Sequence, residues 1–216
     1  MRSSARSFGS YDTRVARLYS TIRFFILHDR FLDEIGQYLP ESRLVLDVGC
    51  GYGLSAQYFA ALFPRLQIRA MDVNAHRIEM AAKAARRMEL TNVEFQVADA
   101  REFVCAEPVD GAYMLDLVHH IPANTVGRLI ASIADHMRPG CRLVVKDVEP
   151  RPLHKLVYTW LLDKFVDYRA PVHYWASTDV QHLLRSLGFT VYQHNVLAHL
   201  PSPHIVYIAT KDEAQR

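Results

Sequence analysis

Carboxylates close four apolar runs in this chain: Asp47, Asp72, Asp99 and Asp116, the last followed three residues on by the pair His119-His120. Behind Asp47 come Gly49, Gly51 and Gly53, then the helix-compatible stretch Leu54–Phe63. Glycine lets a backbone turn sharply and lets a ligand approach with no Cβ in the way. A strand, a glycine turn and a helix make a nucleotide-binding corner of an α/β sheet. The spacing discriminates among nucleotides. A dinucleotide fingerprint needs its third glycine at position 54; that residue is Leu54, and the third glycine arrives one residue early. Asp47 would also repel a pyrophosphate. A ligand with no phosphate and a cationic centre meets no such penalty. A second chemistry follows Asp116, because histidine, with an unperturbed pKa of about 6.5, suits general-base work.

These residues must be carried by alternating elements. Strands are expected at Arg43–Val48, Gln67–Asp72, Val93–Ala98, Val109–Leu115 and Cys141–Asp147, and helices at Leu54–Phe63, Ala75–Leu90 and Thr125–Met137. Such alternation implies a mostly parallel sheet with helices on both faces. In the second helix, Ile78, Ala81, Ala82, Ala85 and Met88 form the apolar face, so the basic run Lys83–Arg87 reads as its solvated side. Arg138-Pro139-Gly140 stops the third helix and feeds the fifth strand. Thr178 and Gln181 fit a capping box and Gly188 a C-terminal cap, framing a helix over Thr178–Leu187. Strands Thr190–Leu197 and Ile205–Thr210 end the fold.

Asp47-Val-Gly-Cys-Gly-Tyr-Gly53 resembles the first motif of the class I S-adenosylmethionine (SAM) dependent methyltransferases, D/E-x-G-x-G-x-G. SAM has a sulfonium, an ammonium and no phosphate. Asp72 matches the acid that accepts the ribose hydroxyls, Asp99-Ala100 the adenine-contacting acidic position, and Asp116 the family's fourth motif beside the substrate. The resemblance is close over residues 40–150. It implies a seven-stranded sheet of order 3-2-1-4-5-7-6 with the seventh strand antiparallel. It also implies SAM as cofactor, held by Asp47, Gly49, Cys50, Gly51, Gly53, Asp72, Val73, Asp99 and Ala100. Asp116, His119 and His120 become the candidate catalytic residues.

Two flanking segments complete this single-domain reading. Tyr11–Leu39 has apolar residues at helical spacing and a face bearing Arg14, Arg17, Arg23 and Arg30. It reads as a helical lid (residues 1–40) that brings Tyr11 or Tyr19 to the methionine end of the cofactor. An alternative is that its basic amphipathic face makes weak peripheral contact with an anionic membrane. After the fifth strand, residues 149–176 hold Tyr158, Trp160, Phe165, Tyr168, Tyr174 and Trp175. They read as a helical, aromatic cover for an apolar acceptor, where each Å² of apolar surface buried contributes about 25 cal/mol.

The chain has 216 residues, half of them hydrophobic, and a net charge of +2, which demands no polyanionic partner. Cys50, Cys105 and Cys141 make no disulfide or metal pattern, which fits a reducing, cytoplasmic setting. An Mg²⁺ site of the catechol type would need an acid-amide pair after the fifth strand, but Val148 follows Asp147, so no metal is expected. Neither Asn/Asp-Pro-Pro-aromatic nor Pro-Cys follows the fourth strand, so nucleic-acid chemistry is not expected. The acceptor expected is a small apolar or aromatic metabolite, phenolic or lipid-like, methylated on oxygen or carbon. The alternatives are methylation of RNA or protein, a SAM-binding protein without catalysis, and a nicotinamide-dependent oxidoreductase. The sequence specifies no oligomeric state.

Overall fold

Near-continuous apolar runs form the centre of the sheet, as expected of parallel strands buried on both faces. In the computed structural model, which describes residues 29–40, 43–99, 107–148, 173–195 and 204–213, the strands are β1 (Leu44–Val48), β2 (Gln67–Asp72), β3 (Val93–Val97), β4 (Val109–Leu115), β5 (Met137–Val148), β6 (Phe189–Asn195) and β7 (His204–Lys211). Their order is β3-β2-β1-β4-β5-β7-β6. β7 runs antiparallel to both β5 and β6, and the other pairings are parallel. The expected order and its antiparallel seventh strand are therefore present. β1 pairs with β2 on one side and β4 on the other, so the order reverses there, and ligands of open α/β sheets bind at such a switch point, beyond the strands' carboxyl ends.

The described helices are α1 (Asp29–Gly36), α2 (Leu54–Leu62), α3 (Ala75–Arg87), α4 (Ala123–His136) and α5 (Ser177–Ser186). One face of the sheet buries Leu46, Met114, Val145 and Tyr207 against α4 and α5. The other buries Val45, Ile68, Tyr113 and Val144 against α1 and α2. α1 starts near the end of β5, where the Phe31 ring lies 6.0 Å from Lys146 Nζ. The chain after it reaches Pro40, beside Gly111 near the start of β4. Residue 29 therefore stands at the carboxyl edge of the sheet. No helix among the described residues is long and apolar enough to cross a membrane.

The differences from the sequence reading have physical causes. β5 begins at Met137, and its Pro-Gly stretch is an irregularity within the strand: register shifts between Val109 and Gly111, and Gly140 has φ +77°. Proline, lacking an N–H, is tolerated at such a bulge. α3 stops at Arg87, and Glu89 at φ 58° turns the chain out of the helix. Its buried face includes Met80 and Ala84, while Ala82 and Met88 are only half-buried. The capping box does not form. α5 begins at Ser177 with Ala176 in the cap position, and Gln181 Nε2 donates to Gln193 Oε1 at 2.6 Å. Gly188, at φ +78°, does follow the helix end as expected.

Tyr11 and Tyr19, Ala100, and residues 149–172 of the aromatic segment lie outside the described residues.

Candidate functional site

The bend between β1 and α2 is fixed by its backbone. The N–H groups of Gly49 and Cys50 both donate to Met71 O, at 2.8 and 2.9 Å, which ties the bend to the end of β2. Gly49 and Gly53 have φ +76° and +75°. A Cβ at Gly49 would lie 2.6 Å from Leu117 Cδ1; one at Gly53 would lie 2.5 Å from Phe95 Cε1 and 2.9 Å from Ala81 Cβ. Conformation and space thus both require glycine. Gln57, wholly buried, donates to Ala81 O at 3.2 Å and to Tyr52 O at 3.4 Å, joining bend and α3. Nothing in its local sequence marked it for that role.

The acids divide by exposure. Asp47 is 1% exposed, and its Oδ2 accepts from Tyr113 OH at 2.9 Å and Ser55 Oγ at 3.2 Å. It braces β1 against β4 and α2 from beneath. Its contact with the bend therefore runs through the backbone it positions, and the sequence argument from its direct repulsion loses force. Burial, then that carboxylate, pushes the Tyr113 hydroxyl far up. Burial, then Asp47 and Asp72, pushes the Cys50 thiol well up, so Cys50 contributes its backbone and is no thiolate nucleophile.

Asp72 faces the bend. Its Oδ2 accepts from Gly51 N–H at 3.0 Å and its Oδ1 from Asn74 N–H at 2.9 Å. Asn74 in turn caps α3 by accepting from Arg77 N–H at 3.1 Å. Each carboxylate oxygen has two acceptor sites, so one on each suits a pair of ribose hydroxyls. The Gly51 amide, which a phosphate would need, is committed to Asp72. This donor set fits SAM better than a dinucleotide. Val73 beside it is 69% exposed, an apolar surface at the mouth of the bend, and Asp99 is half-buried after β3.

The exits of β4 and β5 are joined by side chains. Asp116, at φ +58°, pairs with Lys146 Nζ, and its N–H donates to Lys146 O at 2.9 Å. His119 lies in the 3-10 turn Val118–His120 and is 2% exposed. Its N–H donates to Asp147 Oδ2 at 3.0 Å, and its Nδ1 meets Asp147 Oδ1 in a short hydrogen bond. A carboxylate only accepts, so it assigns the ring proton to Nδ1 and makes Nε2 the basic nitrogen. Tyr174 stacks on this imidazole, with centroids 5.9 Å apart and planes at 19°. His120 lies 4.0 Å from it, centroid to centroid.

Asp147 is the residue sequence reasoning missed. In the sequence it enters only an incomplete metal set; the β4–β5 register, Leu115 opposite Lys146, brings it to His119. His173 sends its N–H to His119 O at 2.7 Å, while His204 is buried opposite Val148. Among the described residues, no three His, Cys, Asp or Glu side chains converge as metal ligands.

Known proteins resemble this chain over much of its length. Residues 45–140 match the family model described as a methyltransferase domain. The O-methyltransferase cnsE of Penicillium expansum is 32% identical over 171 residues, covering 77% of this chain and 59% of that protein. The O-methyltransferase rstn1 of Aspergillus nomiae is also 32% identical, over 124 residues, covering 56% of this chain and 54% of that protein. The chain thus spans a little over half the length of these curated relatives. Among solved structures, magnesium protoporphyrin IX methyltransferase (ChlM) from Synechocystis, with bound SAH, superposes with a TM-score of 0.69 at 19% identity, covering 96% of this chain and 91% of that one; this likeness speaks for the fold alone. By its matched domain, its relatives and its strand order, the chain is similar to the class I, Rossmann-like SAM-dependent methyltransferases.

Proposed function

We propose that this protein transfers the methyl group of SAM to a small apolar or aromatic metabolite, phenolic or lipid-like, with His119 removing the acceptor's proton. The observation that carries the reading is the buried His119–Asp147 pair, on the same edge of the sheet as the glycine bend. SAM supplies a methyl group already activated on a sulfonium. The residues of the chain then have to bind, orient, exclude water and accept a proton, and orientation alone is worth about 7–11 kcal/mol. Asp72, Val73 and the backbone at Gly49, Cys50, Gly51 and Gly53 would hold the cofactor, with Asp99 and Ala100 on its adenine side and Asp47 as the brace beneath. Asp147 orients His119, and His120 packs beside it. The names of the two fungal relatives favour oxygen over carbon as the accepting atom.

The flanking segments follow from where their neighbours stand. α1 begins at the carboxyl edge of the sheet, where the cofactor bend also lies, and this supports a lid role for the segment before it that holds Tyr11 and Tyr19. Tyr174 covers His119, so the aromatic segment that ends there serves as the acceptor's cover.

Calorimetry with SAM, followed by tritiated-methyl transfer into fractionated extract, tests this. The expected result is SAM binding by wild type and His119→Gln alike, with labelled product from wild type only. SAM binding with no label in any fraction would replace transfer by a non-transferring SAM protein. Tight NAD binding without SAM binding would overturn the reading altogether.

A further inference from the structure

Lys146 is wholly buried, at 0% exposure, one residue before Asp147. A buried ammonium is costly to desolvate and persists only when paired. Its partner Asp116 has a backbone conformation uncommon for any residue but glycine, though aspartate tolerates it. Successive strand residues point to opposite faces of a sheet. Lys146 lies toward α1, close to the Phe31 ring, and Asp147 toward α4. The turn from Asp116 to His120 is therefore gripped from both faces by two adjacent residues of β5: through the ion pair and the Asp116 N–H on one, and through the ring and N–H of His119 on the other.

We propose that Lys146 is a positioning residue. It locks Asp116 in the left-handed turn that delivers His119 to Asp147, and its charge cancels the field that Asp116 would otherwise place on the imidazole. Among the described residues, the groups around His119 include Asp147 from β5, Asp116 and His120 on its own turn, and His173 and Tyr174 from the segment before α5; His204 stands at the start of β7 opposite Val148. Of these, Asp116 is paired with Lys146. That Lys146 matters for methyl transfer rests on the reading of His119 as the base; its grip on the turn does not.

The test is a histidine NMR titration of the full chain, which needs no acceptor. The His119 Cε1–H signal is assigned by its loss in His119→Gln, and is followed in wild type, Lys146→Met, Asp116→Asn and the double variant. Lys146→Met removes a positive charge near the ring, so the midpoint should rise by about half a pH unit or more. Asp116→Asn removes a negative charge near the ring and keeps the turn, which asparagine tolerates, so the midpoint should fall by a similar amount. The double variant should return near wild type. Should Lys146→Met fail to fold, the fall in Asp116→Asn carries the test by itself. Midpoints that do not move, that move in the same direction, or a His119 signal that does not titrate between pH 5 and 9 in any variant would overturn the proposal. A wild type that binds no SAM would instead end the functional reading and leave the titration shifts standing.

Discussion

Between β1 and β2 a carboxylate accepts from backbone amides: Asp72 takes Gly51 N–H on one oxygen and Asn74 N–H on the other. Between β4 and β5 carboxylates meet side chains instead, Asp116 on Lys146 and Asp147 on His119. The first half holds its geometry in glycine dihedrals and main-chain hydrogen bonds, which depend little on protonation. The second half holds it in buried charge and an imidazole, where removing one partner of a buried ion pair costs about 3–5 kcal/mol. A half meant to bind one invariant ligand gains from fixed amides. A half that moves a proton, as proposed for His119, needs groups whose charge can change.

Breaking the second half should give the largest effect. Asp147→Asn puts an amide where the Nδ1 proton is accepted, and substitutions of this kind in a buried His–carboxylate pair lower turnover by about 10²–10⁴-fold. SAM affinity should stay within threefold, by calorimetry; a parallel loss of both would erase the distinction between the halves. Next comes Gly53→Ala. Its Cβ would sit 2.5 Å from the Phe95 ring in a left-handed conformation. Strain of about 1–2 kcal/mol and overpacking of about 1–3 kcal/mol should reduce SAM affinity about 100-fold or more and lower the melting temperature.

Asp72→Asn is gentler, since one acceptor oxygen remains. Losing charge-assisted bonds to the ribose, worth about 1.5–3 kcal/mol, should raise the SAM Kd about 10- to 100-fold and leave the His119 titration in place. The smallest effect belongs to Asp110, at the opposite edge. Burial by itself would raise its carboxyl, but hydrogen bonds from the Arg138 and Arg43 guanidiniums outweigh that and hold it below the ordinary range. Its contribution is therefore present above the ordinary carboxylate pKa of about 3.9 and disappears as pH falls through the lowered folded value. Asp110→Asn should cost about 1 kcal/mol or less at pH 7, with the gap to wild type closing in acid denaturation series below about pH 4. Neither SAM binding nor methyl transfer should change.

The same contrast explains what could be read from the residues alone. The bend was legible because its glycines and Asp47 sit within seven consecutive residues, and each constraint is local. β2 and β4 were legible to the residue, as apolar runs closed by Asp72 and Asp116. The His119–Asp147 pair was not, because 28 residues separate the partners and only sheet register joins them. Thr178 and Gln181 misled for the opposite reason: their spacing suits a local cap, but Gln181 is engaged by Gln193 across the fold. The start of β5 was hidden because Pro139-Gly140 reads as a stop, whereas a strand irregularity absorbs it.

Leu117 gives the two halves a point where neither can drift alone. Its isobutyl group fills the space that any side chain at position 49 would need, so the floor of the cofactor bend is partly made by the first residue beyond Asp116. A lineage that reshapes the histidine turn for a new acceptor must keep a side chain of similar bulk there or resculpt the bend with it. Diversification of substrate choice in this scaffold should therefore accumulate around position 117 and seldom at it.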